Sequence, residues 1–296
     1  MKFGTFSPEI KAVTAAELFR KAKDYGFSQM QFDYASLTTE EMPEFIPDSL
    51  NSEIAAHAAH YGIEITAVNG TFNMAHPDAG KRNEGIARFE KIAASCAALG
   101  CKLVTLCTGT RNRESMWAPH PDNNTPEVWK DMARVLDQLI LIAEKYDVNL
   151  GIETEASNVI NTAARAKRLI EEVQSPQLKI ILDAANLFSM GMAKREKVRS
   201  VISEGIELLA PWIVMAHGKD IKEGEGLVFT GPGQGIIDFD FFMGELHKIG
   251  YKDGMILHGI KDEKNIPACV DYIRKIAAKI STATRHHPLI DDEDYS

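Results

Sequence analysis

Short apolar runs alternate along this chain with longer stretches in which apolar residues recur at helical spacing. The runs are Lys2–Ser7, Gln29–Phe32, Glu64–Asn69, Leu103–Cys107, Asn149–Glu153, Lys179–Asp183, Ile213–His217 and Met255–His258. Runs such as Lys179-Ile180-Ile181-Leu182 and Ile213-Val214-Met215-Ala216 are apolar on both faces, which predicts strands of a parallel sheet covered by helices. Between them the periodicity predicts helices over Ala15–Tyr25, Ser52–Tyr61, Asn83–Leu99, Pro126–Tyr146, Asn161–Val173, Arg195–Leu209, Asp240–Ile249 and Ile266–Ile280. Tyr25-Gly26, Tyr61-Gly62, Leu99-Gly100 and Ile249-Gly250 each put Gly where a helix ends in a left-handed turn. The units begin about 36 residues apart, the length of a strand, loop, helix and return turn. Eight such units imply a closed (β/α)8 barrel of the α/β class, because open doubly wound sheets usually have fewer strands. No Gly-rich linker divides the chain. Residues 1–282 are therefore expected to form a single barrel domain, and 283–296, with His286-His287 and Asp291-Asp292-Glu293-Asp294, a solvated acidic tail.

Composition narrows the function classes. With 45% hydrophobic and 25% charged residues the chain is that of a folded enzyme, not a disordered segment. Its net charge of −9, without a basic block, argues against a nucleic-acid backbone as partner. No apolar run approaches the roughly 20 residues that a membrane helix needs. Met1–Phe6 enters a strand pattern directly, without an apolar leader, and Cys96, Cys101, Cys107 and Cys269 form no C-x-x-C pair. Neither a disulfide framework nor a zinc knuckle is expected, and the cytoplasm is the expected location.

A (β/α)8 barrel gathers its functional side chains at the C-terminal ends of its strands. The fifth strand ends in Ile152-Glu153-Thr154-Glu155, the sixth in Leu182-Asp183-Ala184-Ala185-Asn186, the seventh in Ala216-His217-Gly218-Lys219-Asp220 and the eighth in Leu257-His258-Gly259. Taken singly, a strand-end carboxylate is often a helix cap. Glu153, Asp183, His217 and His258 together form a ring of two carboxylates and two imidazoles, a mixed N/O site for a divalent cation. Mn2+ is the first expectation, with Co2+, Mg2+ or Zn2+ as alternatives.

At these residues the chain resembles the xylose-isomerase-like barrels, which include sugar and ketose epimerases, inosose-processing enzymes and apurinic endonucleases. The resemblance rests on Glu153, on Asp183, on His217 followed by Lys219-Asp220, and on Gly231-Pro232-Gly233-Gln234-Gly235-Ile236-Ile237-Asp238. That last stretch is no dinucleotide fingerprint, because it lacks the strand-loop-helix setting. The resemblance implies metal binding by Glu153, Asp183, His217 and the residue ending the eighth strand. It also implies proton transfer by Glu153. Two departures stand out: His258 replaces the family's eighth-strand Glu, and Asn186 stands where many members place His. The second proton-transfer group is therefore His258, Lys219 or metal-bound hydroxide. The resemblance further suggests a homodimer.

The rim carries Asn69, at the end of the third strand, and a loop of nearly 20 residues after the fourth. In that loop Arg111 is placed to bind a carboxylate or phosphate, and Trp117 either walls a sugar face or anchors the loop. Glu155 and Asn158 support the ring, cap the fifth helix or touch substrate; Asn186 can hydrogen-bond a substrate hydroxyl. The reading is a metal-dependent isomerase or epimerase of a sugar, keto-sugar or cyclitol, acting through an enediolate. The alternatives are a keto-sugar lyase or inosose dehydratase, a non-catalytic sugar-binding barrel, or an apurinic endonuclease relative. No Lys/Arg cluster near the last two strands suggests a phosphate site, so an unphosphorylated carbohydrate is expected.

Overall fold

The computed structural model of the protein describes residues 1–285, so the His286-His287 pair and the acidic run lie outside the described residues. Eight parallel strands close into a barrel: β1 (Phe3–Phe6), β2 (Gln29–Phe32), β3 (Glu64–Asn69), β4 (Leu103–Leu106), β5 (Asn149–Glu153), β6 (Leu178–Asp183), β7 (Ile213–Gly218) and β10 (Met255–Leu257). Strand pairing runs β1-β2-β3-β4-β5-β6-β7-β10 and back to β1, so every strand edge is covered. Helices α1 (Ala15–Asp24), α2 (Asp48–Tyr61), α3 (Ala79–Ser95), α4 (Pro126–Tyr146), α5 (Ala163–Val173), α6 (Val198–Leu209), α7 (Phe239–Lys248) and α8 (Ile266–Arg285) complete the units. Each barrel strand lies within two residues of its predicted span. Among the described residues no helix is long and apolar enough to cross a membrane.

Helix ends differ more than strands. α2 starts at Asp48 and α3 at Ala79, each four residues before the predicted start. The first turn of α3 is polar and is held by Asp78, whose carboxylate accepts from the Gly80 N–H at 2.7 Å. Such a turn carries no apolar periodicity to read. Gly26, Gly62, Gly100 and Gly250 all take positive φ, as the sequence predicts. One element is absent from the sequence reading: a two-stranded antiparallel ribbon, β8 (Asp220–Ile221) with β9 (Phe229–Thr230), in the connection after β7. Two residues per strand are too few to show alternation.

The main core lies between sheet and helices, with Phe19, Leu136 and Phe242 among its fully buried side chains. A second, smaller cluster of Ala67, Leu103, Ile181, Met215 and Ile256 fills the inside of the barrel. Side chains alternate along a strand, so the residue two positions on points inward one layer higher. Those residues are Asn69, Thr105, Asp183, His217 and His258. The same alternation that packs the barrel therefore lifts a polar ring to its C-terminal mouth.

Candidate metal centre

Register puts the central groups side by side: Asp183 pairs with His217 across β6–β7, and Glu153 ends β5 beside Ile181. Among the described residues, ligand atoms of Glu153, Asp183 and His217 all lie within 4.8 Å of one another, and all three residues are buried. His217 Nδ1 is 3.3 Å from Glu153 Oε1 and 4.0 Å from Asp183 Oδ2. On its other side His217 Nε2 lies 2.7 Å from Gln31 Oε1. Asp183 Oδ1 accepts from the Ala185 N–H at 2.8 Å, while Oδ2 is buried without a hydrogen bond.

Lys219 closes the cluster from the seventh strand's end. Its ammonium is 3.2 Å from Asp183 Oδ2 and donates to Asn186 Oδ1 at 2.7 Å. Asn186 in turn donates from Nδ2 to Glu153 Oε1 at 2.6 Å. Asn186 thus links the ammonium to the carboxylate, and both ends of its amide are already engaged. Lys219 also lies over the Phe229 ring, 4.2 Å from its centroid.

Electrostatics sorts the charges. Burial alone would raise the Glu153 carboxyl, but the charge and hydrogen bond of His217, helped by Lys219, hold it well below the usual carboxylate range. Burial works against the Lys219 ammonium, yet Asp183, Glu153 and Glu155 hold it above the ordinary lysine value. For Asp183 burial wins over the pull of Lys219 and raises its carboxyl. Burial likewise raises Glu155. Asp183 Oδ2, fully buried, makes no hydrogen bond and has only the Lys219 ammonium 3.2 Å away to balance it; facing an imidazole nitrogen and a second carboxylate, it fits a divalent cation that would offset the clustered negative charge.

His258 stands beside this trio. Its ring centroid is 5.5 Å from that of His217 and 5.1 Å from Phe6. Its Nδ1 is 3.3 Å from Glu9 Oε1, which also accepts from the Gly259 N–H at 2.8 Å. Glu9 comes from the turn after β1; its Oε2 is buried and unpartnered. Asn69 is buried in a network with Asp33, Thr71 and Thr105. Arg111 is not brought to the trio: it donates to the Ala75 and His76 carbonyls and pairs with Asp131 of α4. That engagement ties the loop after β4 to the loop after β3. Trp117 is half-exposed on the same β4–α4 loop. Asn158 accepts from the Gly109 N–H at 2.6 Å and donates to the Met116 carbonyl at 2.9 Å, so it buttresses that loop.

Sequence reasoning missed Gln31 and Glu9. Gln31 left a trace, because Gln29-Met30-Gln31-Phe32 alternates polar and apolar, which turns both glutamines to one face. Glu9 left none. The Gly-rich loop has a structural role. Asp220 accepts from the backbone N–H groups of Ile221, Gly233, Gly235 and Ile237, while Asp238 caps α7. At Gly235 a Cβ would sit 2.2 Å from the Ile221 carbonyl oxygen and 2.4 Å from Asp220 Oδ1. Neither atom can yield without breaking this loop. Gly235→Ala is therefore expected to lower the free energy of urea unfolding by about 3 kcal/mol, the upper part of the overpacking range. An unchanged urea midpoint would refute the close packing.

The model of the xylose isomerase-like TIM barrel matches residues 19–276 of the chain. Among curated proteins, an inosose isomerase of Bacillus velezensis is 25% identical over 230 residues, covering 75% of this chain and 76% of that protein. Among solved structures, a 3-keto-D-glucoside 4-epimerase from E. coli superposes with a TM-score of 0.69 at 20% identity, over 95% of this chain and 99% of that one. The IolI protein with a binding zinc atom superposes with a TM-score of 0.71, also at 20% identity, over 96% and 99%. At that identity the two superpositions establish the fold.

Proposed function

The chain belongs to the xylose isomerase-like TIM barrel family, and from that premise we propose that it is a divalent-metal-dependent isomerase or epimerase of a small unphosphorylated keto-sugar or cyclitol. The observation that carries this reading is the buried trio of Glu153, Asp183 and His217 at the barrel mouth, with Asp183 Oδ2 making no hydrogen bond. The relatives named for inosose isomerisation and keto-glucoside epimerisation, and the zinc in the IolI structure, support both halves of it. Glu153, Asp183 and His217 would hold the divalent cation, which would supply positive charge to stabilise an enediolate. Two carboxylates and one imidazole are a hard donor set, which favours Mn2+, with Co2+, Mg2+ and Zn2+ as alternatives.

Glu153, ionised at neutral pH, takes the proton from the carbon next to the carbonyl and leaves the enediolate. Asn186 holds its Oε1 in place from one side. Lys219, fixed by Asp183 and Asn186, presents positive charge to the developing oxyanion. His258, steadied at Nδ1 by Glu9, is the opposing group that returns a proton on the other face.

A β-elimination on the same enediolate is the second reading, and His258 in place of a carboxylate favours it. Incubation with keto-sugars and inososes in D2O separates the two. Isomers carrying solvent deuterium are the expected products, and unsaturated products would replace this reading by the lyase. Metal analysis is the companion measurement. Protein that neither holds nor takes up a divalent ion would overturn both readings and leave a sugar-binding barrel.

A further inference from the structure

Gln31 is separated from His217 by 186 positions in sequence, yet its amide joins that imidazole to the opposite side of the barrel. Its Nε2 donates to Thr105 Oγ1 at 3.3 Å. Thr105 Oγ1 donates to Asn69 Oδ1 at 3.3 Å, and Asn69 Nδ2 donates to Asp33 Oδ2 at 2.7 Å. Asp33 Oδ1 accepts from the Ala35 N–H at 2.8 Å. Gln31, Thr105, Asn69, Asp33 and His217 are all buried, so no bulk water takes over these bonds.

The chain of bonds runs one way. An ionised carboxylate only accepts, so Asn69 turns its NH2 to Asp33 and its carbonyl to Thr105. The Thr71 backbone N–H, donating to Asn69 Oδ1 at 3.2 Å, fixes the same orientation independently. The single Thr105 hydroxyl proton goes to Asn69, which leaves a lone pair facing Gln31 and calls for the Gln31 NH2 there. Gln31 Oε1 is then the atom that meets His217, and only an Nε2–H can donate to it. A bare Nε2 would set two acceptors 2.7 Å apart. Turning the Gln31 amide over would instead set Thr105 Oγ1 against Asn69 Oδ1.

We infer that Gln31 is a positioning residue of the metal centre: it keeps a proton on His217 Nε2, so that Nδ1, on the side of Glu153 and Asp183, is the nitrogen that gives up its proton and takes a bound cation. The inference rests on the metal-binding part of the reading above. Fixing the remote nitrogen of a metal-binding imidazole in this way sets both ring orientation and ligand basicity.

The test uses the full chain with 15N-labelled histidine at pH 8, where Asp33, raised to about 6 by burial, is ionised. Long-range 1H–15N spectra locate the ring proton, and His217 is identified by the signal lost in His217→Asn. The expected result is a proton on Nε2 both without metal and with Zn2+. Gln31→Leu removes the acceptor and is expected to mix the two tautomers and to weaken Zn2+ binding about 10- to 100-fold by calorimetry. Gln31→Glu still accepts from Nε2–H and is expected to restore the proton position. A bare Nε2 in the unaltered protein, or an unchanged tautomer in Gln31→Leu, would overturn the inference. Should the Leu variant not fold, the unaltered protein and the Glu variant decide it. Failure of the unaltered protein to bind Zn2+ counts against the metal reading, while its metal-free spectrum still decides the role of Gln31.

Discussion

Glu153→Gln is expected to reduce proton exchange at the substrate carbon by about 10^3-fold, within the range that a positioned general base contributes. The substitution is nearly isosteric in a buried site, so it changes the proton chemistry more than the packing. Asn186 Nδ2 donates at 2.6 Å to Oε1, and this donor keeps the carbonyl of the new amide at that position. The NH2 then takes the place of Oε2, where it offers a donor in place of a lone pair. His217 and Lys219 hold the native carboxyl ionised, so the native group is ready to accept a proton at neutral pH and the amide is not. Deuterium incorporation from D2O into a keto-sugar, followed by NMR and normalised to bound metal, measures the effect. Exchange within about tenfold of the unaltered protein, with metal retained, would move the base to another group.

How much of this was legible in the sequence follows from what each element depends on. The barrel strands are short and buried on both faces, so Ile180–Leu182 and Val214–Ala216 mark themselves by composition, and their ends locate Asp183 and His217. Helix starts such as Ala79 depend on a single capping side chain, which leaves a weaker trace. The trio was readable because its members follow inward-facing apolar residues by two positions or end a strand. What surrounds it was not. A sequence shows that Arg111 is cationic, but not that Ala75, His76 and Asp131 already occupy its guanidinium. It shows His258 at a strand end, but not Glu9, brought from the first turn of the barrel against its ring. Gln31 and His217 meet only because the barrel closes, so their pairing has no local signature. The Gly-rich stretch carries part of the resemblance, but only the hydrogen bonds show that Asp220 organises it and that Asp238 caps α7.

Asp183→Asn is expected to weaken divalent-metal binding by at least about 100-fold, a larger loss than changing a residue that only holds a ligand in place, because a ligand itself is removed. The Ala185 N–H is an obligate donor at 2.8 Å from Oδ1, so the new side chain keeps its carbonyl there. The NH2 must then occupy the position of Oδ2, a buried oxygen that makes no hydrogen bond. That puts a donor 3.2 Å from the Lys219 ammonium and offers a cation no lone pair. The charge balance changes too. In the unaltered protein two buried carboxylates face one ammonium, and a dication relieves the crowding of negative charge that burial makes costly. Metal should accordingly stabilise the fold, by about 4 kcal/mol at a thousandfold excess over Kd. In Asp183→Asn that gain should vanish while the metal-free fold persists, because Asn keeps the Ala185 bond and fills the same space. Thermal melts with and without Mn2+ or Zn2+, run beside titration calorimetry on both proteins, measure the two effects together. Equal metal-induced stabilisation in the variant would remove Asp183 from the centre.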